Sequence, residues 1–418
     1  MGEILAVVNI GQLVTLAGPP HPRVGAELRE VGLIEEAALF VEDGRVIAAG
    51  PYAELRSQIP PDAAIIDAEG RCVTPGFVDA HTHLVFAGNR AAEFDERIVG
   101  ATYQQIAAAG GGILRTVAQT RAATEDELLT AARKHRDWML RSGTTTIEAK
   151  SGYGLEAATE LKMLRIMARL NAEGTAMIVP TLLAAHTVPP EFADRREEYV
   201  RWIAEELIPE VAAAGLARYC DAFCDDHAFT VEESRTVLTA ARRHGLGLRL
   251  HAEQFRPGTG AALAAELGTA TADHLEMVDA ETIRQLKKAG TQPVLLPGSV
   301  FALGRTQYPP ARAMIDAGLA IVVASDFNPG SSPIASMPFI LSLSCLQMRL
   351  TPAEALVAET INAAWSLGLG HRKGSLETGK DADFLIHEVN DYRELAYYIA
   401  APMRPRVFVE GREVTPTS

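Results

Sequence analysis

Two styles of apolar patterning divide the chain. Over residues 1–72, and again over 367–418, short apolar runs alternate with turn residues, as in strands that bury one face. In "LFVEDGRVIAAG", Asp43-Gly44 parts two such runs and predicts a tight hairpin. The same style returns in "DADFLIHEV" and "RVFVEGREV" near the C-terminus. Residues 73–366 read differently: short apolar runs now alternate with amphipathic helical stretches, the pattern of βα units on a parallel sheet. Eight runs stand out, at 75–81, 143–150, 176–186, 217–226, 246–253, 269–274, 291–298 and 320–330. Thr124-x-x-Glu127 and Thr230-x-x-Glu233 form capping boxes that predict helix starts, and Gly245 and Gly290 are placed to end helices.

Eight evenly repeated units predict an α/β protein with a closed (β/α)8 barrel of the TIM type, rather than an open doubly wound sheet. The β-rich ends would meet beside it as a small β-sandwich domain built from both termini, giving three segments: 1–72, 73–366 and 367–418.

Charge changes the picture of partners. Thirty-nine basic residues against 53 acidic ones leave a net −14, which disfavours nucleic acid and anionic membrane surfaces. An anionic substrate would therefore need a local cation. No run of 18 apolar residues and no basic leader followed by an apolar stretch is present, so a cytoplasmic protein is expected. The four cysteines, Cys72, Cys220, Cys224 and Cys345, are scattered like buried free thiols. Cys220, Cys224 and His227 have no second pair with ligand spacing, and core packing is the simpler reading.

Barrel enzymes carry their chemistry at the C-terminal ends of the strands. Strand one ends in His81-Thr82-His83, strand three in His186, strand five in His251, strand six in His274 and strand eight in Asp326. Taken singly, each has a structural reading; Asp326 could merely cap the next helix. Taken together they suggest a mononuclear metal site. His81 and His83 lie two apart, hence on one side of an extended segment, and barrel closure brings strands five and eight close to strand one. Imidazole and carboxylate ligands suit Zn²⁺ or Fe. Arg90 reads either as the grip for a carboxylate or as a surface partner of Glu93 or Asp95. The triple glycine Gly110–Gly112 matches no phosphate-loop pattern and reads as a flexible bend beside the site.

"PGFVDAHTH", His251, His274 and Asp326, with the split β-domain, resemble the amidohydrolase superfamily. Its dinuclear members hold a second metal through a lysine on strand four, which this chain lacks there; Lys150, ending strand two, is elsewhere. Six ordered blocks, "HTHLVFAGNRAAEF", "AAAGGGILRTV", "EAKSGYGL", "HAEQF", "ADHLE" and "ASDFNPGSSP", further resemble its branch that opens the ring of 4-imidazolone-5-propanoate in histidine degradation. The resemblance implies hydrolysis of a cyclic amide to N-formimino-L-glutamate, with one Zn or Fe held by His81, His83, His251 and Asp326. It implies Asp326 and His274 as the catalytic pair and Arg90 as anchor for the propionate of a small anionic substrate. Tyr153, His186, Gln254, Asn328, Gly330 and Ser331 would complete the substrate site. Some members of the family carry a glutamate where Gln254 stands; a glutamine only hydrogen-bonds, which leaves the base role to Asp326. A homodimer is expected on the same ground. The competing expectations are a heterocycle deaminase on this scaffold and a non-catalytic assembly protein that has kept the fold.

Overall fold

The structure, a computed structural model, describes residues 4–100, 105, 110–225 and 228–415. His227, and Ala107–Ala109 of the glycine-rich block, lie outside them. Strands β1 (Ile4–Val14), β2 (Leu33–Glu42), β3 (Arg45–Pro51), β4 (Ala64–Asp67) and β5 (Cys72–Pro75) open the chain. Strands β6 (Phe77–Thr82), β7 (Thr144–Lys150), β8 (Met177–Ala185), β9 (Tyr219–Cys224), β10 (Gly247–Ala252), β11 (Thr271–His274), β12 (Gln292–Leu295) and β13 (Val322–Val323) follow, one in each expected run. The chain closes with β14 (Phe384–Ile386), β15 (Arg406–Val409) and β16 (Arg412–Glu413).

β6 to β13 pair in chain order, every pair parallel. A bridge between Thr82 and Phe327 returns the last strand to the first, with Asp326 N donating to His81 O and His83 N to Phe327 O. This is the expected barrel. Helices fill the connections, and three start on a complete capping box, at Thr124, Thr230 and Thr351. The terminal strands form one mixed sheet in the order β16-β15-β14-β5-β1-β2-β3, with β4 also on β1. β5 thus pairs antiparallel with β14 and parallel with β1, tying the two chain ends together at the residue before the barrel begins.

The barrel interior departs from an apolar filling. Glu148, Lys150, Asp221, Arg249 and Asp273 are all fully buried among the strands. Buried charges persist only when paired, and these pair with one another directly beneath the strand ends.

The final run differs from its expected length. The named strand covers Val322–Val323, and Asp326 and Phe327 rejoin β6 only through the bridge above; Asp326 has φ 53, and the chain then loops until Ser336 caps the helix Met337–Met348. Asp326 therefore caps no helix. Among the described histidines away from the strand ends, His135 is buried with Nδ1 at 3.0 Å from Leu84 O, His387 is buried against Thr74, and His21, His244 and His371 are exposed. Cys72, Cys220 and Cys224 are buried free thiols, while Cys345 is half-buried.

A candidate metal centre at the strand ends

His81 and His83 emerge from β6 on one side, as two-residue spacing demands, with ring centroids 5.6 Å apart. β10 brings the His251 ring to 4.5 Å from that of His81. The ring nitrogens of these three histidines lie within 4.8 Å of one another, and so do the ligand atoms of His81, His274 and Asp326. Asp326 Oδ1 lies 3.6 Å from His81 Nε2 and 3.5 Å from His83 Nε2. Both His274 (φ 79) and Asp326 (φ 53) sit in the left-handed region, which non-glycine residues rarely occupy. Such backbone strain gathers at functional sites.

The donors fit a cation. His81 Nδ1 donates to Asp273 Oδ2 at 2.7 Å, which leaves Nε2 unprotonated, and Nε2 is buried with no hydrogen-bond partner. His251 is placed similarly, with Nδ1 3.0 Å from Asp221 Oδ2, although that approach falls outside hydrogen-bond geometry and neither ring nitrogen has a hydrogen-bond partner among the described residues. Burial, reinforced by Lys150 and the neighbouring imidazoles, pushes His81 well below the ordinary histidine range, so it stays neutral and ligand-ready. Burial also opposes a charge on Asp326, but the His83 hydrogen bond and the surrounding imidazoles outweigh it and keep the carboxylate ionised. Orphaned buried nitrogens are costly unless something satisfies them, and a metal ion would.

His274 sits in a different balance. Burial lowers its pKa, yet the Glu276 carboxylate 3.4 Å away, aided by Asp326 and Asp273, holds it above the usual value. His186, just past β8, gives Nδ1 to Gly152 O at 3.0 Å and stacks on His83 at 5.0 Å.

These groups line a cavity of about 600 Å³. His83, Arg90, Tyr153, His186, His251, Gln254, His274, Asp326, Asn328, Gly330 and Ser331 all face it, and His81 lies beneath. The site residues expected from sequence therefore converge on one place. Gly112 lines it too, at the start of the helix Ile113–Ala122. Among the described residues Arg90 forms no ion pair; Glu93 faces Arg115 instead, at 4.0 Å. Arg90 sits beside the Tyr153 hydroxyl, and its Nε is buried without a hydrogen-bond partner among the described residues. Its guanidinium lies flat on Gly330, so close that a Cβ there would be 2.2 Å from Nη2.

The loops that carry these residues are braced. Glu160 accepts from the N–H groups of Gly152, Gly154 and Leu155, which fixes the turn bearing Tyr153. Gly152 has φ 97, and a Cβ on it would meet Leu183 O at 2.7 Å, so only glycine serves there. Asn328 Oδ1 accepts from Gly330 N and Ser331 N, and its Nδ2 donates to Asp326 O and Ser331 Oγ. The Asn328 amide is thus occupied in shaping the loop under Arg90.

Several residues of the site carried no sequence signal that was read as functional. Asp221 and Asp273 orient two histidines, Glu276 tunes a third, and Arg305 donates to Gln254 O while stacking on Phe255. A usable signal existed for the two aspartates. Each is a charge inside an otherwise apolar strand run, which burial permits only with a partner.

A parallel barrel whose strand ends gather imidazoles and a carboxylate with free ligand atoms defines a metal-dependent hydrolase of the amidohydrolase type. Residues 72–414 match the amidohydrolase family model, and the chain is 54% identical to the imidazolonepropionase of Solibacter usitatus over 97% of each protein. The enzymes of the same name from Symbiobacterium thermophilum and Geobacillus kaustophilus are 46% and 45% identical, over 98% of this chain and 96% and 97% of theirs. The chain belongs to the amidohydrolase family and, within it, to the imidazolonepropionases. Among solved structures, 5-methylcytosine deaminase from Klebsiella pneumoniae superposes with a TM-score of 0.75 at 18% identity, covering 99% of this chain and 98% of that one. Guanine deaminase from E. coli gives 0.72 at 17%, covering all of both chains. Those likenesses concern the fold alone. No described helix is long and apolar enough to cross a membrane.

Proposed function

We propose that this chain hydrolyses the ring amide of 4-imidazolone-5-propanoate to N-formimino-L-glutamate, with one Zn or Fe ion held by His81, His83, His251 and Asp326. The observation that carries the reading is Arg90: an arginine with no carboxylate partner among the described residues, pressed onto Gly330 in the same cavity as the His/Asp cluster. A guanidinium so placed supports a bidentate grip on an aliphatic carboxylate, which a deaminase of neutral bases does not need.

When bound, the ion supplies Lewis acidity, which lowers the pKa of water in its shell towards about 7 and polarises a carbonyl. The chain's own groups do the rest. Arg90 and Tyr153 hold the propionate, and His186, Gln254 and Ser331 fix the ring. Asp326 takes the proton of the attacking water at a carboxylate oxygen and returns it to the ring nitrogen as the C–N bond breaks. His274, protonated beside Glu276, donates to the carbonyl oxygen as negative charge gathers there. Gln254 has no carboxylate, so the base is Asp326. The same reading makes the protein a cytoplasmic homodimer acting on a small anion, without nucleic acid or membrane partners.

The test is loss of the imidazolone ultraviolet absorbance by the protein as purified, after chelation, and as Arg90→Ala. Turnover that needs metal and collapses in Arg90→Ala supports the reading. A folded, metal-loaded protein that leaves the absorbance unchanged refutes it.

A further inference from the structure

The charged cluster inside the barrel has an arrangement that pairing alone does not explain. Lys150 Nζ lies 2.8 Å from Asp221 Oδ2, 2.9 Å from Glu148 Oε1 and 3.7 Å from Asp273 Oδ2, and all four side chains are wholly buried. Asp221 and Asp273 are the same two carboxylates that face the Nδ1 atoms of His251 and His81. Each turns its Oδ2 to an ammonium on one side and an imidazole on the other, Asp273 facing Arg249 as well, while its Oδ1 has no hydrogen-bond partner among the described residues. Asp221, His251 and Asp273 also place their ligand atoms within 4.8 Å of one another, close enough to receive a cation. Lys150 already stands at the two carboxylates of that triplet.

We infer that Lys150 is the positioning residue of the metal centre: its ammonium takes the part of a fixed second cation, holding Asp221 and Asp273 so that they aim His251 and His81 at the ion. The inference rests on the metal reading of those histidines. Three physical points carry it. A carboxylate shared between an ammonium and an imidazole has its position set by two directions at once, so the ring it holds is set too. Within this five-residue cluster, Lys150 and Arg249 face three carboxylates, Glu148, Asp221 and Asp273, so removing the ammonium leaves one guanidinium for all three. Lastly, Arg249 shares Asp273 with Lys150, each cation 3.7 Å from its Oδ2, but Lys150 alone of the two makes close contacts with Asp221 and Glu148, at 2.8 and 2.9 Å; Arg249 stays 3.8 Å from Glu148 and spends donors on Ala80 O and Ser366 O.

The experiment compares the full-length wild type with Lys150→Met, which keeps an unbranched side chain one atom shorter and removes the charge. Each apoprotein is titrated with Zn²⁺ against a chromophoric chelator, and separately loaded with Co²⁺, whose visible spectrum reports ligand geometry. The wild type is expected to take one equivalent. Lys150→Met should bind Zn²⁺ about 10- to 100-fold more weakly, the usual effect of losing an outer partner, and show a changed Co²⁺ spectrum. Should the single variant fail to fold, Lys150→Met/Glu148→Gln removes one charge of each sign and carries the same expectation. A folded variant with lowered melting temperature but wild-type Zn²⁺ affinity and Co²⁺ spectrum overturns the inference and leaves Lys150 as a packing residue. Wild type that binds no ion fails the metal reading instead, and the two failures are distinct.

Discussion

Gly330→Ala separates the placement of Arg90 from the stability of the fold. The new methyl carbon would stand 2.2 Å from Nη2, 2.3 Å from Cζ and 2.6 Å from Nη1 of Arg90. No backbone or packed side chain is among those nearest atoms, and the φ of Gly330 lies outside the left-handed region, so alanine is tolerated by the backbone. The conflict is relieved by moving the end of one flexible side chain. Restoring ordinary contact at 3.4 Å displaces the guanidinium by about 1 Å or more. A misplacement of that size costs on the order of 10²-fold when it spoils the geometry of the reacting groups. Losing a hydrogen bond to a charged group, worth about 1.5–3 kcal/mol, leads to a similar figure. We therefore expect kcat/KM for the imidazolone to fall about 10²-fold, while the melting temperature moves by no more than ~2 °C. Initial rates from imidazolone absorbance, with a thermal melt on the same preparation, measure both. A double-mutant cycle sharpens the test: Gly330→Ala/Arg90→Ala should be no slower than Arg90→Ala alone, because both changes act on one contact. Wild-type kcat/KM in Gly330→Ala, or full additivity in the cycle, would refute Arg90 as the anchor.

Other expectations follow from the same groups. Glu276→Gln removes the carboxylate that holds the His274 pKa up; the alkaline limb of kcat/KM should move to lower pH, with metal content unchanged, and an unmoved limb would remove His274 as the proton-bearing donor. His274→Ala should lose kcat about 10²-fold or more, and wild-type turnover would end its role altogether. His387 is pushed down to about 3 by burial. The unfolded chain therefore binds one more proton than the folded chain between about pH 6.5 and 3, and stability falls as pH drops through that window, by at most ~1.4 kcal/mol per pH unit from this group. His387→Gln should flatten the decline of melting temperature between pH 6.5 and 5; an unchanged slope would show that His387 is not among the groups responsible.

The barrel was legible because parallel strands covered on both faces read as continuous apolar runs, and each of the eight runs holds one observed strand. The histidines and Asp326 were legible because strand ends are countable from sequence, and barrel closure joins strands one, five and eight, which carry His81, His83, His251 and Asp326. The length of the last strand was not legible. "AIVVASDF" looks extended throughout, but Ser325 N donates to the Asp79 side chain instead of a neighbouring strand and Asp326 turns left-handed, and nothing local in the sequence announces either. The charged layer below the site was also hidden. Glu148, Lys150, Asp221, Arg249 and Asp273 come from four strands, and each seems merely an interruption of an apolar run until closure brings them together. Glu276 and Arg305 belong to loops whose course depends on that closure, so periodicity cannot place them.

Isotope incorporation tests the central claim most directly. The purified protein is incubated with 4-imidazolone-5-propanoate in ¹⁸O-labelled water, and the product is examined by mass spectrometry alongside an ammonia assay. Hydrolytic opening of the ring amide predicts N-formimino-L-glutamate with one ¹⁸O in a carboxylate and no ammonia released in proportion to turnover. Stoichiometric ammonia, or a product without the label, would contradict it.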